Sequence, residues 1–142
     1  MNLDRDALRA SLSSALPEGS FICRLDEVPA VGGHVVRLSS GGIEVSLVVL
    51  RQHETVRCFL NRCPHLGSEL ARQDRHLYLE PGVSIECNVH YAVFRWADGV
   101  CVRGDCQGES LAGVPVTVAA DGIRVGVWPR DANDAGVLKR SQ

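Results

Sequence analysis

The sequence has 142 residues, a formal net charge of −2, and 45% hydrophobic and 23% charged residues. This length and composition are typical of one soluble globular domain with a single modest core. The balanced charge and an aromatic content of only 5% exclude a basic, base-stacking surface for nucleic acid. The unusual feature is the presence of six Cys beside five His.

The role of the six cysteines depends on whether the protein is in an oxidising or a reducing cellular compartment. Residues 1–6 contain two acids and no apolar run, so the sequence shows no export signal. No stretch approaches the ~18 apolar residues of a membrane span. We therefore expect a cytoplasmic protein, in which clustered cysteines are metal ligands or core residues rather than disulfides.

Taken in chain order, the elements begin with a helix and continue as strands. Residues 3–16 carry an apolar stripe at the helical period, which predicts a helix that packs on the domain or, as the alternative, docks a partner. Short runs rich in Val, Ile and Leu then predict strands at 21–25, 34–38, 43–50, 55–60, 114–118 and 123–128. The turn signals between them are Gly32-Gly33, Ser40-Gly41-Gly42, Gln52-His53-Glu54 and Ala120-Asp121-Gly122. This spacing predicts an all-β sandwich or barrel.

The pattern divides the chain into three parts. We expect an N-terminal helical extension at 1–19, a β domain at 20–128 and a polar C-terminal tail at 129–142. Within the β domain, the segment at about 61–113 holds four of the six cysteines and is interrupted by turn residues. Long irregular segments inside compact domains are usually functional, so this segment is the candidate binding part.

Two short signatures lie in that segment: Cys63-Pro64-His65-Leu66-Gly67 and Cys87-Asn88-Val89-His90. Thiolate and imidazole suit zinc or iron–sulfur chemistry, and each pair can bind from one loop. With 5 His among 142 residues, chance alone would give the six Cys about 0.2 matches to the Cys-x-His spacing and about 0.2 to the Cys-x-x-His spacing. The chance of finding both spacings in one sequence is then about 0.04. The two pairs together therefore predict a metal site with Cys63, His65, Cys87 and His90 as ligands.

The order of the ligands favours one kind of site. A nucleic-acid-binding zinc finger normally has a Cys pair followed by a His pair, whereas each loop here carries one Cys and one His. If the two Cys bind one iron and the two His another, both loops straddle a binuclear cluster, as in a Rieske centre. A structural zinc site remains the alternative, because four Cys and His ligands also satisfy a tetrahedral metal.

With these motifs in place, the sequence resembles the Rieske [2Fe–2S] family and is most similar to the soluble Rieske-type ferredoxins of bacterial oxygenase systems. The likeness spans roughly residues 20–128 and includes Phe94 and the stretch at 98–111. It implies an antiparallel β sandwich or barrel base with a small cluster-binding subdomain. It also implies one [2Fe–2S] cluster, with Cys63 and Cys87 on the inner iron and His65 and His90 on the outer iron.

The resemblance also implies a function. The chain would carry one electron from a flavin reductase to a terminal oxygenase, as a dioxygenase component. Four ligands leave no open coordination position, so we do not expect an enzyme in its own right. A small electron-transfer or regulatory subunit of a larger oxidoreductase is the alternative within the family, and a zinc interaction domain is the alternative outside it.

The sequence departs from the family pattern at several positions. Ser68 and Val89 stand where high-potential members carry an additional disulfide. Ala92 and Phe94 stand where those members place a Ser and a Tyr that donate hydrogen bonds to sulfur. Such bonds favour the reduced cluster, so their absence predicts a midpoint near about −150 mV rather than about +300 mV.

Further departures concern residues beside the ligands. Asn88 replaces the usual Pro, Tyr91 the usual Gly after the second His, and Asp105 the Pro of a Gly-Pro pair. These changes affect partner choice more than the cluster itself.

The remaining candidates have simpler interpretations. Cys101 and Cys106 could form a second metal pair or a redox disulfide, but small buried thiols near the site are favoured. Cys23 and Cys58 lie in strand patterns and are expected in the core. The three other histidines have no Cys at ligand spacing and are expected at the surface or in loops: His34, His53 and His76.

Overall fold

The computed structural model describes residues 2–64, 67–87, 91–104 and 106–129, with side chains from residue 7 onward. In this part of the chain, one α-helix is followed by ten strands, with short 3₁₀ turns at Leu25–Glu27 and Asp74–His76. The elements are α1 (Asn2–Ala15), β1 (Phe21–Cys23), β2 (Val31–Ser40), β3 (Ile43–Gln52), β4 (Thr55–Leu60), β5 (Tyr78–Glu80), β6 (Ser84–Glu86), β7 (Val93–Arg95), β8 (Cys101–Arg103), β9 (Val116–Ala119) and β10 (Gly122–Val125). No helix among these residues is long and apolar enough to cross a membrane.

The predicted N-terminal helix is confirmed, and it packs on the β domain. Leu12 and Leu16 are buried, and Leu8 and Ala15 pack against the same core, whereas Ala7 of the predicted stripe is exposed. The side chain of Leu3 lies outside the described part. The end of the helix is fixed to the domain, because the Trp128 indole N–H donates a hydrogen bond to the Leu16 carbonyl at 2.7 Å.

Two three-stranded antiparallel sheets form the base. One has the order β2-β3-β4 and the other the order β1-β10-β9. Gly41 and Gly42, with φ of 56° and 82°, join β2 to β3 in a two-residue turn, which needs positive φ at both positions. Side chains of α1 and of both sheets share one core, which includes Leu16, Leu47 and Ile123.

The interpretation of Gly32-Gly33 as a turn is wrong, since both residues lie inside β2. A Cβ on Gly33 would stand only 3.1–3.2 Å from side-chain atoms of Leu50, Leu77 and Leu79. Glycine is therefore needed here for close packing of β2 on the segment before β6, not for a chain reversal.

The segment at about 61–113 contains a third sheet of four short antiparallel strands in the order β5-β6-β7-β8. It has its own hydrophobic core, which includes Phe94, Ile85 and Leu70, all fully buried. The molecule thus has two cores, one in the base and one in the smaller part that contains β5 to β8. This arrangement agrees with the predicted all-β architecture. The smaller part also carries four of the six cysteines, at positions 63, 87, 101 and 106.

Candidate metal centre

The first candidate ligand loop begins shortly after β4 ends. Cys63 is fully buried, its N–H donates to the Ser68 carbonyl at 2.7 Å, and its own carbonyl accepts from the Gly67 N–H at 2.8 Å. Gly67 has a φ of +79°, a conformation that glycine adopts without strain. The backbone thus closes a tight loop with Cys63 at its base.

The second candidate ligand loop connects β6 to β7 and closes in the same way. Cys87 is fully buried, its N–H donates to the Ala92 carbonyl at 2.8 Å, and its carbonyl accepts from the Tyr91 N–H at 2.9 Å. Tyr91 has a φ of +60°. Tyr91 is therefore the counterpart of Gly67, four residues after the cysteine in each loop.

The structure describes two of the four predicted ligands and leaves the ligand set a prediction. Cys63 and Cys87 lie in one buried cluster of side chains, at the bases of the two loops. His65 and His90 lie outside the described residues, as do the departures at Asn88, Val89 and Asp105. Two buried thiols at the bases of two matching loops could serve as ligands of one metal site, because thiolate is a ligand for zinc and for iron–sulfur clusters.

The other cysteines are buried, as predicted. Cys101 and Cys106 share the core of Cys63 and Cys87, and neither of the two forms a disulfide. Burial and a hydrogen bond with Cys101 raise the pKa of Cys106 to about 12. Among the described side chains, no three Cys, His, Asp or Glu are grouped to hold a metal ion.

Asn61 is a positioning residue that the sequence reasoning missed. Its side chain is buried, and its Nδ2 donates to the Ala71 carbonyl at 2.7 Å and to the Ser46 hydroxyl at 3.0 Å. Its Oδ1 accepts from the backbone N–H of Leu70 at 2.8 Å and of Ala71 at 3.2 Å. One amide thus fixes the chain that leaves the first loop against β3. The available signal was an amide side chain two residues before Cys63.

A charged pair adds a second attachment for the same segment. The Arg37 guanidinium on β2 donates to both carboxylate oxygens of Glu69, at 2.7 and 3.2 Å, and to the Arg72 carbonyl at 3.0 Å. The Arg37 hydrogen bond holds the pKa of the Glu69 carboxyl below its ordinary value. Both side chains are more than a third exposed, so solvent screens the pair.

The segment after β8 covers the second loop. Gly104 has a φ of +110°, and a Cβ there would stand 3.0 Å from the Ala92 Cα. The backbone therefore lies directly on the residue where the second loop closes. Ala92 and Phe94 are themselves buried, so the positions that lack a hydroxyl donor face the interior.

The three other histidines differ in exposure. His34 Nδ1 lies 2.7 Å from Oδ2 of Asp74, and Oδ1 of the same carboxylate accepts from the Val35 N–H, so His34 helps attach the 3₁₀ turn to β2. His53 is exposed in the turn between β3 and β4, whereas His76 is half-buried. A surface or loop position therefore holds for His53 and for His76, which lies in the 3₁₀ turn, whereas His34 lies half-buried within β2.

Comparison with known proteins gives a family match and several structural ones. A family model described as the Rieske [2Fe-2S] domain matches residues 19–129. No curated protein matches the sequence with significance.

Three solved structures illustrate the likeness. The ferredoxin of carbazole 1,9a-dioxygenase from Nocardioides aromaticivorans IC177 has a TM-score of 0.60 and 22% identity, over 77% of this chain and 97% of that one. A ferredoxin of Sphingomonas yanoikuyae B1 has a TM-score of 0.61 and 22% identity, over 77% and 98%. A complex of reduced oxygenase and oxidized ferredoxin in carbazole 1,9a-dioxygenase has a TM-score of 0.59 and 21% identity, over 75% and 90%.

Proposed function

The chain belongs to the Rieske [2Fe–2S] family, and from this premise we propose that it is a one-electron carrier that delivers electrons to a terminal oxygenase. The observation that carries the proposal is the pair of buried cysteines, Cys63 and Cys87, at the bases of two loops that close by the same two hydrogen bonds. The family's cofactor is one [2Fe–2S] cluster, which supplies a reversible one-electron step when bound.

We assign the ligands by position in the two loops. Cys63 and Cys87 would hold the inner iron, and their burial supports this assignment because it keeps the thiolates away from water and oxidants. His65 and His90 would hold the outer iron, because each follows a ligand cysteine by two or three residues in the sequence. The role of this chain's residues is then to fix the four ligands, exclude water from the sulfur side and present the histidine side to a partner.

The residues that surround the site favour a low potential. Ala92 and Phe94 occupy buried positions near Cys87 and have no hydroxyl group to donate to sulfur. Fewer hydrogen bonds to sulfur make reduction less favourable. We therefore infer a midpoint at the low end of the Rieske range, near about −150 mV.

The partners follow from the same role. One matched structure is a ferredoxin in complex with an oxygenase, which supports a terminal oxygenase as the electron acceptor. We further propose a flavin reductase as the donor and the cytoplasm as the compartment. The functional unit would be residues 20–128, with the helix at 1–19 as an extension and 129–142 as a tail.

The purified protein tests this function directly. It should be red-brown, its visible absorption should bleach with dithionite, and the reduced form should give a Rieske-type EPR signal with a midpoint below zero. A colourless protein with one zinc per chain, or a midpoint above zero, would contradict the proposal. Copurification with a large catalytic subunit would instead indicate a permanent subunit.

Ligand variants test the assignment. His65→Ala and His90→Ala should each lose the cluster, because removing a ligand opens the outer iron to solvent. His53→Ala is the matched control, since His53 lies in the turn between β3 and β4. Retention of the native spectrum in either ligand variant would show that the assignment is wrong.

A further inference from the structure

Tyr91 combines two properties that rarely occur together. Its φ of +60° lies in the left-handed region, which disfavours bulky side chains. It is also 66% exposed, more than any other large hydrophobic residue among those described. An aromatic residue is thus held in a strained backbone conformation and left in water.

Loop closure does not explain the choice of tyrosine. At the equivalent position of the first loop, Gly67 makes the same backbone hydrogen bond to its cysteine with a φ of +79°. The Tyr91 N–H that bonds the Cys87 carbonyl belongs to the backbone, and glycine would supply it without strain. Strain that local structure does not require is typical of functional positions.

The position of Tyr91 in the chain suggests what the function is. Tyr91 directly follows His90, a proposed ligand of the outer iron, and consecutive Cα atoms are only ~3.8 Å apart. A partner that receives electrons through the histidine side must therefore come into contact with an exposed ring at this position. Tyrosine is among the residues that most often dominate the binding energy of protein interfaces.

We propose that Tyr91 is the docking anchor for the terminal oxygenase, with its ring seated in an apolar recess of the oxygenase surface. The inference rests on the proposed function and adds a recognition residue to it. The strain at φ +60° is retained because the exposed ring increases affinity for the partner, not because the loop needs it.

The test begins with a screen of Rieske terminal oxygenases, which includes the oxygenase of carbazole 1,9a-dioxygenase. Stopped-flow mixing identifies an oxygenase that accepts an electron from the reduced wild-type protein. Failure of every oxygenase overturns the carrier function, and the docking role with it. With an oxygenase that accepts the electron, the rate of electron transfer is then measured as a function of oxygenase concentration for the wild type and for Tyr91→Ala, Tyr91→Gly and Tyr91→Phe. Val118→Ala is the control, because Val118 is 47% exposed on β9 of the base.

The variants should separate docking from structure. Tyr91→Ala and Tyr91→Gly should raise the half-saturating oxygenase concentration about tenfold, whereas Tyr91→Phe and Val118→Ala should stay within about twofold of the wild type. The visible spectrum, the midpoint and the oxidation rate by ferricyanide should not change in any of them. Tyr91→Gly should melt at the same temperature as the wild type or higher, because glycine relieves the strain.

Two results would overturn the docking role while leaving the carrier function intact. One is an unchanged half-saturating concentration in Tyr91→Ala. The other is a Tyr91→Gly variant that loses its cluster or melts at a lower temperature, since this would make Tyr91 a structural residue of the loop.

Discussion

The two candidate ligand loops close with the same pair of backbone hydrogen bonds, but their surroundings differ. The first loop is attached to the base by side chains, through Asn61 and through Arg37 with Glu69. The second loop is part of a strand hairpin, in which Glu86 pairs with Val93, and is covered by the backbone at Gly104. Equivalent loops can therefore be held either by side chains or by a sheet.

The comparison also concerns the residue four positions after the cysteine in each loop. In both loops the backbone N–H of this residue bonds to the cysteine carbonyl, and its φ is positive. The first loop has Gly67 there and the second has Tyr91. The same position thus provides an unstrained turn in one loop and an exposed aromatic ring in the other.

The largest effect should come from Asn61→Ala. It removes the partners of the Leu70 and Ala71 amides and of the Ala71 carbonyl, which lie in a buried environment. Unpartnered buried polar groups are costly, so we expect a loss of about 3 kcal/mol in the free energy of unfolding and reduced cluster content. Urea unfolding followed by circular dichroism measures the first quantity, and visible absorption per chain measures the second.

The control for Asn61 is Gln107→Ala. Gln107 also donates a side-chain hydrogen bond to a backbone carbonyl, that of Val102, but it is exposed. Its loss should cost less than about 0.5 kcal/mol. Similar losses in the two variants would show that Asn61 is not an attachment of the first loop.

A smaller effect is expected from Gly67→Ala. At a φ of +79° a Cβ is strained, and it would also stand 3.3 Å from the Arg62 Nε. We expect a loss of about 1–2 kcal/mol in the same urea experiment. Gly113→Ala is the matched control, since a Cβ there meets no atom within 4 Å. Equal losses at Gly67 and Gly113 would contradict the loop geometry.

The smallest effect should come from Arg37→Ala, about 0.5 kcal/mol at neutral pH, because the pair with Glu69 is exposed. The Glu69 pKa is lowered in the folded state, so the pair stabilises the fold above the ordinary Glu pKa. That stabilisation disappears as the pH falls through the lowered folded value.

The urea midpoints of wild type and Arg37→Ala should therefore converge in acid. The Glu69→Gln variant removes the charge of the side chain but keeps its shape. At neutral pH it should already show most of the decrease in urea midpoint that Arg37→Ala shows. A difference between wild type and Arg37→Ala that stays constant with pH would show that the charge of Glu69 is not involved.

Much of the base could be predicted, because its signals are local. Alternating apolar residues bounded by turn residues placed β4 at 55–60 and the hairpin of β9 and β10. The spacing of Cys and His in turn located the two loops, since each pair lies within a few residues.

Other features depend on contacts that no local pattern encodes. The strands β5 to β8 have three residues each, too few for periodicity to be visible. Gly33 looks like a turn residue until Leu77 and Leu79 are seen packed against it. Likewise, Asn61 acts on residues up to fifteen positions away, and the strain at Tyr91 is a property of the backbone that composition does not report.

The hydrogen bonds of Asn61 also bear on how the centre is assembled. All four join protein groups to protein groups, so they can form before any iron arrives. In zinc fingers, by contrast, the metal itself drives folding. The segment that follows the first loop, at Leu70 and Ala71, could therefore be attached to β3 before a cluster is inserted.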